Sequence, residues 1–484
     1  MKRRSFLSLA GACAWGLVRP MKSQAATRPN ILWLISEDTS PDLACYGNTL
    51  VQTPHLDRLA AEGTRFDAAF ATCPVCSPAR SAFMTGMYQT SIGAHNHRSH
   101  REDGYGLPEP VKVISEYFRE AGYFVSNGKG TQPERPGKTD WNFTPANQAF
   151  DGTDWRQRKP GQPFLAQYNF SLTHRTFKRD PERPIDPTQV ELPPYYPDTP
   201  LLRRDWANYL ESLQVLDSQI GAMLKRLEDD GLADNTIVVY HGDHGRPHLR
   251  GKQWLYEGGI RVPMVVRHPD GKGAGTVSTD LVSLIDLAPS MMAWAGIAAP
   301  KHLQGQPLGA APREYLVCAR DRCDETVDRI RCARDHRFKY IRNYFPDRPY
   351  MQFNAYKKDH YPAWSVLEQW QQEGKLTDAQ KPFMSATRPA EELYDLQADP
   401  HEVRNLASDP EYGPVRVKMA AMLENWEART GDRGATPEPK AITDFWMEEA
   451  LGRHKRTVEK RGLSVDATPA EHVAWWEQEL LGGA

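Results

Sequence analysis

The apolar stretch Ile31-Leu32-Trp33-Leu34-Ile35, followed closely by Glu37 and Asp38, decides the fold class of this 484-residue chain. A short apolar run of this kind is typical of a strand buried on both faces of a parallel sheet. Similar runs occur at Tyr123-Phe124-Val125, Phe164 to Phe170, Ile237 to Tyr240 and Val262 to Val266. We expect all five to form buried parallel strands.

Helical patterns lie between these runs. The clearest extends from about Leu201 to Asp230, with leucine and isoleucine at three- and four-residue spacing and Gly231 as the stop signal. Strands that alternate with helices predict an α/β fold, with a mostly parallel sheet sandwiched by helices. We expect this domain to span residues 28–310.

The pattern changes after the first 310 residues. The segment Arg331 to Ile341 alternates in the manner of two strands joined by a turn, and Glu391 to Pro400 reads as a further strand and turn. These segments predict a smaller C-terminal α+β subdomain with a small antiparallel sheet over residues 311–440. Residues 441–484 are rich in Trp, Glu and Lys and predict a helical tail.

The N-terminus has the pattern of an export signal. Lys2-Arg3-Arg4 precedes an apolar run from Leu7 to Val18, and Ser23-Gln24-Ala25 is a suitable cleavage site. The paired arginines resemble a twin-arginine signal, here residues 1–25, and predict a periplasmic or secreted product. The run is too short to span a bilayer comfortably, and no later stretch does better, so we expect no membrane span.

Charge and cysteine content give no support for nucleic-acid binding, membrane-surface binding or a disulfide-stabilised fold. The formal net charge of −2 gives no indication of a nucleic-acid or membrane-surface binder. Six cysteines follow the signal: Cys45, Cys73, Cys76, Cys318, Cys323 and Cys332. This is not a disulfide framework, although one pair within residues 318–332 is plausible.

Polar side chains follow the predicted strands at the point where each strand ends. Glu37 and Asp38 follow the first, Lys129 and Lys138 the second, His174 the third, and Asp243 and His244 the fourth. Open α/β sheets bind ligands at this edge, so we expect these side chains to converge.

Three carboxylates and an imidazole, from Glu37, Asp38, Asp243 and His244, form a candidate metal site. Oxygen-rich ligation favours a hard divalent cation, Ca²⁺ or Mg²⁺, and His244 leaves another divalent metal open. Asp38 is the safer ligand of the first pair, because the longer arm of Glu37 displaces its carboxylate.

The segment Cys76-Ser77-Pro78-Ala79-Arg80, followed by Met84-Thr85-Gly86, reads as a short helix. Ser77 is the expected N-cap, Pro78 the first helical residue and Gly86 the stop. Cys76 would then precede a helix N-terminus, where free amides stabilise negative charge. Arg80, one turn later, could reach back to the same point.

This segment resembles the signature of the cysteine-type sulfatases, which belong to the alkaline phosphatase superfamily. The resemblance implies an alkaline-phosphatase-like fold and a Cys76 that a formylglycine-generating or sulfatase-maturing enzyme oxidises to formylglycine. In that family the hydrated aldehyde is the nucleophile, and it lies at the metal, so position 76 also counts among the expected metal ligands. The adjacent acids and the Asp-His pair match the family's calcium ligands, with Glu37 in place of the usual Asp.

The resemblance also implies cationic groups around the sulfate. Gly251-Lys252 with Tyr256-Glu257-Gly258-Gly259 is the longest match, and its lysine contacts sulfate in the family. His174 lies where the family has a sulfate-contacting histidine. For the second lysine we favour Lys138 and keep Lys129 as the alternative. His95 and His97 could line the pocket, but lone histidines are more often structural.

The implied activity is hydrolysis of a sulfate ester or sulfamate on a sulfated glycan, with N-sulfoglucosamine ahead of O-sulfated sugars. Sugar contacts are expected near residues 180–200 and 345–365. A phosphodiesterase or phosphonate monoester hydrolase of the same superfamily remains an alternative. So do a cysteine hydrolase with a Cys-His pair and an inactive glycan-binding protein on a sulfatase fold.

Overall fold

The computed structural model describes residues 28–100 and 103–482. The export signal expected at residues 1–25 therefore lies outside the described residues. Within the part that is described, no helix has both the length and the apolar character needed to cross a membrane.

The chain alternates strands and helices through its first three hundred residues and then changes pattern. The strands are β1 (Asn30–Ser36), β2 (Thr64–Phe66), β3 (Ala69–Phe70), β4 (Phe124–Lys129), β5 (Gln132–Pro136), β6 (Phe164–Phe170), β7 (Thr236–Gly242), β8 (Arg261–Val262), β9 (Met264–Arg267), β10 (Thr276–Ser278), β11 (Val282–Ser283), β12 (Leu316–Arg320), β13 (Ile330–Arg334), β14 (Phe338–Asn343) and β15 (Glu391–Asp395). The helices are α1 (Pro54–Glu62), α2 (Cys76–Thr85), α3 (Ile114–Glu120), α4 (Pro200–Asp229), α5 (Glu257–Ile260), α6 (Leu287–Trp294), α7 (Ala355–His360), α8 (Pro362–Gln372), α9 (Gly413–Thr430), α10 (Lys440–Lys460) and α11 (Pro469–Leu481).

The main sheet of the described residues has eight strands in the order β10-β2-β9-β7-β1-β6-β4-β5. Its centre is parallel, because β1 pairs in parallel with both β6 and β7, and β4 pairs in parallel with β6. The run from Val262 to Val266 is not a parallel strand as expected. Pro263 divides it into β8 and β9, and β9 pairs antiparallel with β7. An apolar run shows burial but carries no information about strand direction.

Side chains of the central strands alternate between two hydrophobic cores, one on each face of the sheet. In β1, Leu32 and Leu34 belong to one core, and Ile31, Trp33 and Ile35 belong to the other. The first core is covered by α1, α4, α8 and α11, and the second by α2, α3 and α6. This is the arrangement that an apolar strand without polar alternation predicts.

The long helix α4 confirms the prediction made from leucine spacing. Thr199 caps its first turn by accepting a hydrogen bond from the Leu202 amide at 3.2 Å, and Gly231 has a left-handed φ of 67° just after the end. Leu213 and Ile220 are fully buried against the sheet.

Helix α2 begins two residues earlier than the sequence predicts. The extended residue Val75 is its N-cap, and Ser77 already lies inside the first turn. The Ser77 hydroxyl accepts a hydrogen bond from the Arg98 amide at 3.1 Å, so it serves a tertiary contact instead of capping the helix. Gly86 ends the helix as predicted, with a φ of 66°.

A separate antiparallel sheet follows, in the order β12-β13-β14-β15. It packs against α9, whose Met419, Leu423 and Trp426 join a third core with residues of this sheet. Cys318 and Cys332 occupy facing positions on β12 and β13 and are free thiols. The mixed, mostly parallel main sheet with helices on both faces and this smaller sheet together confirm the predicted fold class.

Candidate active site

The acids that follow β1 and β7 are adjacent because of the register between the two strands. Ser36 pairs with Gly242, so the next residues of both strands leave the sheet edge side by side. The Asp38 amide donates a hydrogen bond to Asp243 Oδ1 at 2.9 Å, and Asp38 has a left-handed φ of 51°. Such a backbone conformation is uncommon outside glycine and is tolerated here within a network of fixed contacts.

Asp38 is the centre of a fully buried cluster. Lys252 Nζ donates to both Asp38 carboxylate oxygens, at 3.0 and 2.9 Å. His244 Nε2 lies 3.2 Å from Asp38 Oδ1. Burial disfavours the carboxylate, but Lys252, His174 and His244 outweigh it and lower the pKa of Asp38. The Asp38 side chain is therefore held as a carboxylate.

Cys76, at the start of α2, faces this cluster. Its Sγ lies 3.2 Å from His244 Nε2 and 4.0 Å from Asp38 Oδ1, and the residue is only 1% exposed. Burial disfavours the thiolate, but Lys138, Lys252 and His244 together lower the pKa of the Cys76 thiol. The position is electrostatically suited to a group that carries negative charge.

Asp38, Cys76 and His244 offer ligand atoms that all lie within 4.8 Å of one another. A carboxylate and an imidazole in one small buried space fit a divalent cation, and an oxygen in place of the thiol would make the donor set harder. Asp243 Oδ1 lies 3.7 Å from His244 Nε2 and adds a neighbouring carboxylate. In the cluster as it stands, burial lowers the pKa of His244, whereas Asp243, Cys76 and Asp38 together raise it to about 9.

Arg80 spans from α2 to the strand ends. Its Nε lies 3.1 Å from Asp243 Oδ2, and one terminal nitrogen donates to Asn169 Oδ1 at 2.7 Å. Asn169, near the end of β6, in turn donates to Asn127 Oδ1 at 2.8 Å on β4. Arg80 is 1% exposed, so this network fixes a buried guanidinium one turn from Cys76.

The structure distinguishes the two candidate lysines. Lys138 Nζ lies 2.8 Å from Glu37 Oε2, and the Lys138 ammonium is among the charges that act on Cys76. Lys129 is exposed at the irregular pairing between β4 and β5 and makes no ion pair among the described residues. The chain therefore brings Lys138, and not Lys129, to the cluster.

The contact with Lys138 holds the Glu37 carboxylate apart from the ligand atoms of Asp38, Cys76 and His244. Its carboxylate faces Lys138, and Glu37 is not part of the compact group formed by Asp38, Cys76 and His244. That Asp38 and not Glu37 is the metal ligand stays a prediction.

His174 lies at the rim of the cluster and is partly exposed. Its Nδ1 lies 2.8 Å from the Arg175 carbonyl oxygen, and its Nε2 lies 3.9 Å from Asp38 Oδ2. Lys252 and burial lower the pKa of His174, so the ring is neutral near neutral pH. The neutral ring has one nitrogen available toward the cluster.

His95 and His97 are buried within the segment that follows α2. His97 Nδ1 lies 3.1 Å from Asp324 Oδ1, and burial lowers the pKa of His97 to about 4 despite this neighbour. The charged neighbours of His95 lie in the C-terminal part of the chain, and those of His97 are Asp324, Arg98 and Asp140. These surroundings favour a structural role for the two histidines over a place in the lining of the catalytic pocket.

A cavity of about 560 Å³ opens beside Lys138. Its other lining residues are Arg98, His100, Thr139, Asp140, Trp141, Phe143, Pro145 and Ala149. Trp141 and Phe143 are stacked with ring centroids 5.3 Å apart. Among the described residues, the ion pairs of Arg98 are long, 3.7 Å to Asp140 and 4.0 Å to Asp324.

Sequence reasoning missed Asn127, Asn169, Arg98 and Tyr356. The two asparagines could have been found, because each is the polar residue near the end of a predicted strand. Arg98 and Tyr356 come from loops and a short helix, where no periodic pattern marks a site. Tyr356 does fall within the 345–365 segment expected to contact sugar, and its ring lies 5.2 Å from Lys252 Nζ.

Two protein-family models match the chain. The sulfatase model matches residues 29–297, which is more than half of the chain, and the model of the C-terminal region of N-sulphoglucosamine sulphohydrolase matches residues 242–373. The chain belongs to the sulfatase family. It is accordingly a sulfuric ester hydrolase of the alkaline phosphatase superfamily.

Individual relatives agree with this assignment. An ulvan-active sulfatase of Formosa agariphila is 35% identical, covering 87% of this sulfatase and 78% of the relative. The human N-sulphoglucosamine sulphohydrolase is 26% identical over 83% of this chain and 90% of its own length. A solved structure in complex with its substrate D-glucosamine-2-N,6-O-disulfate shares the fold, with a TM-score of 0.62, 18% identity and coverage of 85% of this chain and 100% of that one.

Proposed function

We propose that this sulfatase removes sulfate from a sulfated glycan, with its reacting group made from Cys76. The observation that carries the proposal is the position of Cys76 Sγ, 3.2 Å from His244 Nε2 and beside the Asp38–Lys252 pair. A residue in this position is surrounded by one carboxylate and by cations, which is what a sulfuryl transfer needs around its nucleophile.

Oxidation of Cys76 to formylglycine by a maturing enzyme would supply an aldehyde hydrate, which offers an attacking hydroxyl and a way to release the sulfate again. The low pKa of the thiol supports an anion at this position. Arg80 supports it further, because it holds Asp243 in place and adds a buried positive charge one turn away.

Asp38 and His244 would hold a divalent cation, with Asp243 and Glu37 as neighbouring carboxylates. Ca²⁺ or Mg²⁺ bound there would supply Lewis-acid stabilisation of negative charge. The compact spacing of the donor atoms supports this site.

Lys252, Lys138 and His174 would bind the sulfuryl group. Both lysines are fixed by carboxylates, Asp38 and Glu37 respectively, so their ammonium groups are positioned before substrate binds. Preorganised cations of this kind stabilise charge that develops on the sulfuryl oxygens. His174 is neutral without substrate. The negative charge of a bound sulfuryl group would favour its imidazolium form, which would then donate a proton from Nε2 to the leaving oxygen or nitrogen.

The sugar ring would occupy the cavity lined by Lys138, Trp141 and Phe143. A stacked aromatic pair gives a sugar an apolar surface, and Arg98 lies beside it. The ulvan-active relative supports ulvan as the first substrate to test. N-Sulfoglucosamine is a second candidate, favoured by the family-model match over residues 242–373.

Further parts of the proposal concern organisation and location. The proposed limits are a catalytic domain at 28–310, a C-terminal subdomain at 311–440 and a helical tail at 441–484. Export to the periplasm or beyond rests on the signal pattern at residues 1–25.

The decisive experiment is mass analysis of the peptide that contains Cys76, in protein from a host able to modify it, together with an assay of sulfate release. We expect an aldehyde at position 76 and release of sulfate from ulvan or heparan oligosaccharides. An intact cysteine in an active preparation would overturn the nucleophile. Faster turnover of an aryl phosphate diester than of an aryl sulfate would overturn the reaction class.

A further inference from the structure

A second cavity, of about 420 Å³, lies between α7 and α10 on another side of the catalytic cluster. Its lining residues are Ala355, Tyr356, Asp359, His360, Arg453, Arg456, Thr457 and Lys460. Tyr356 belongs to both places, because its ring lies 5.2 Å from Lys252 Nζ and its centroid 5.8 Å from that of His174. A ligand in this cavity would therefore lie next to residues that contact Asp38.

The wall formed by α10 is strongly positive. Arg453, Arg456 and Lys460 follow one another at three- and four-residue spacing, which places them on one face of the helix. Throughout residues 28–100 and 103–482, none of them forms an ion pair with an acid. One terminal nitrogen of Arg453 is buried without a hydrogen-bond partner among these residues.

Acidic groups offset only part of this charge: Asp359 lines the cavity, and Arg453 lies close enough to Asp324 and Glu325 to act to lower the pKa of both carboxyls. The Asp359 carboxylate is already engaged by His454 Nδ1, at 2.6 Å, on the same helix. Burial, together with nearby cations, lowers the pKa of His360 to about 4, so its ring is neutral at neutral pH. Tyr356 Oη is also buried without a hydrogen-bond partner in the described part of the chain.

Clustered cations that are only partly balanced by acids repel one another, and an anionic ligand relieves that repulsion. Guanidinium groups match the oxygens of a sulfate or a carboxylate by forming paired hydrogen bonds. A cavity of this size lies in the range of small-molecule sites. The charge of Arg456 and Lys460 and the unused donor of Arg453 thus point to an anion.

We propose that the α10 cavity, lined by Arg453, Arg456 and Lys460, binds a second anionic group of the same glycan whose sulfate lies at Cys76. That group is a sulfate ester or a uronate carboxylate on another part of the sugar chain. The inference rests on the proposed function and extends it, because it makes polyanionic oligosaccharides the preferred substrates. The α10 residues lie outside the segments matched by both family models, residues 29–297 and 242–373.

The test uses the full-length matured enzyme and a double variant, Arg456→Gln/Lys460→Gln, at two exposed positions that place little demand on folding. The control, Lys440→Gln/Lys455→Gln, removes the same charge from the same helix but outside the cavity, where these lysines face Asp444 and Glu459. The substrates are a multiply sulfated, uronate-containing ulvan tetrasaccharide and 4-nitrophenyl sulfate, which carries a single anionic group.

We expect the ratio of kcat/KM for the tetrasaccharide to that for 4-nitrophenyl sulfate to fall at least about tenfold in the cavity variant, as loss of contacts to a charged group implies. The control should keep this ratio within about twofold. Equal ratios in the cavity variant, the control and the parent enzyme would overturn the proposal.

Two further measurements identify the bound anion and separate failure of the proposed function from failure of the α10 site. A carboxyl-reduced tetrasaccharide identifies the anion. If the cavity variant no longer lowers the kcat/KM ratio with this substrate, the bound group is a carboxylate. If the ratio still falls, the bound group is a sulfate. If the parent enzyme hydrolyses no sulfate ester, the proposed function fails, and calorimetric titration of the tetrasaccharide into a Cys76→Ala background then decides. An unchanged Kd on adding Arg456→Gln/Lys460→Gln would overturn the α10 site independently.

Discussion

Lys252 holds Asp38 through both carboxylate oxygens, at 3.0 and 2.9 Å, in a place where neither side chain contacts bulk solvent to any extent. The pair joins the loop before α5 to the residues just after β1, 214 positions apart in the sequence. It therefore contributes to both the structure of the site and its charge.

We expect Lys252→Met to lower the free energy of unfolding by about 3–5 kcal/mol, because removing one partner leaves a buried charge uncompensated. Activity on an aryl sulfate should fall by at least about 100-fold, as for loss of one preorganised donor. Denaturant unfolding and steady-state kinetics measure the two effects. The double variant Asp38→Asn/Lys252→Met should regain stability without regaining activity, and a double variant no more stable than Lys252→Met would contradict this account.

The contrast between Lys138 and Lys129 gives a second prediction with its own matched control. Lys138→Met removes the ammonium that faces Glu37 and acts on Cys76, and kcat/KM should fall by about 100- to 1000-fold. Lys129→Met, at an exposed position, should stay within about twofold. Kinetics on 4-nitrophenyl sulfate compare them, and equal losses in the two variants would show that Lys138 has no special role.

Metal removal gives a third prediction. Chelation should abolish sulfate release, and added Ca²⁺ or Mg²⁺ should restore it, since Asp38 and His244 offer a compact donor set. Asp38→Asn should need at least about tenfold more metal for half-restoration. Asp42→Asn is the control, because Asp42 pairs with Arg246, 2.8 Å away, outside that donor set. Full activity after thorough chelation would exclude the metal and would favour the Cys-His hydrolase alternative.

A fourth prediction concerns stability and pH. Burial, together with Asp324, raises the pKa of Glu325 to about 7, although the Ala355 amide donates to its carboxylate. The folded protein therefore holds this proton more tightly than the unfolded chain. The resulting stability is fully present below about pH 4, the range of an unperturbed glutamate, and is lost as the pH rises through 7.

In Glu325→Gln this dependence should disappear, because the amide does not ionise but still accepts a hydrogen bond from the Ala355 amide. We expect the difference in unfolding free energy between pH 5 and pH 8 to shrink by about 1–3 kcal/mol relative to the parent protein. Urea unfolding at the two pH values measures it. An unchanged difference would place the Glu325 pKa in its ordinary range.

Much of the fold followed from a few apolar runs. The runs at β1, β4, β6 and β7 predicted buried parallel strands, since such strands show no polar alternation. The direction of β9 could not be predicted, because it depends on the path that the chain takes between Asp243 and Ile260. The start of α2 was also missed, because the Ser77 hydroxyl bonds the distant Arg98 amide and not its own helix.

The residues of the candidate site also fall into two groups, those that the sequence predicted and those that it could not. Residues just beyond strand ends, such as Asp38, Asp243 and His174, could be named because parallel strands deliver their carboxyl ends to one edge. The choice between Lys138 and Lys129 depends on the turn between β4 and β5, which sequence does not determine. Tyr356 comes to the site only through packing of the C-terminal region against the main domain.

The burial of α2 has a consequence for the order of chain folding and Cys76 conversion. All ten residues of the helix are buried, and Cys76 is 1% exposed beneath the loops that carry Arg98 and Lys252. A second protein cannot thread this segment through its own active site while the helix is in place. Conversion of Cys76, as proposed, must therefore occur on the newly made chain before it folds. A molecule that folds first would keep its cysteine permanently and remain inactive however well its structure formed.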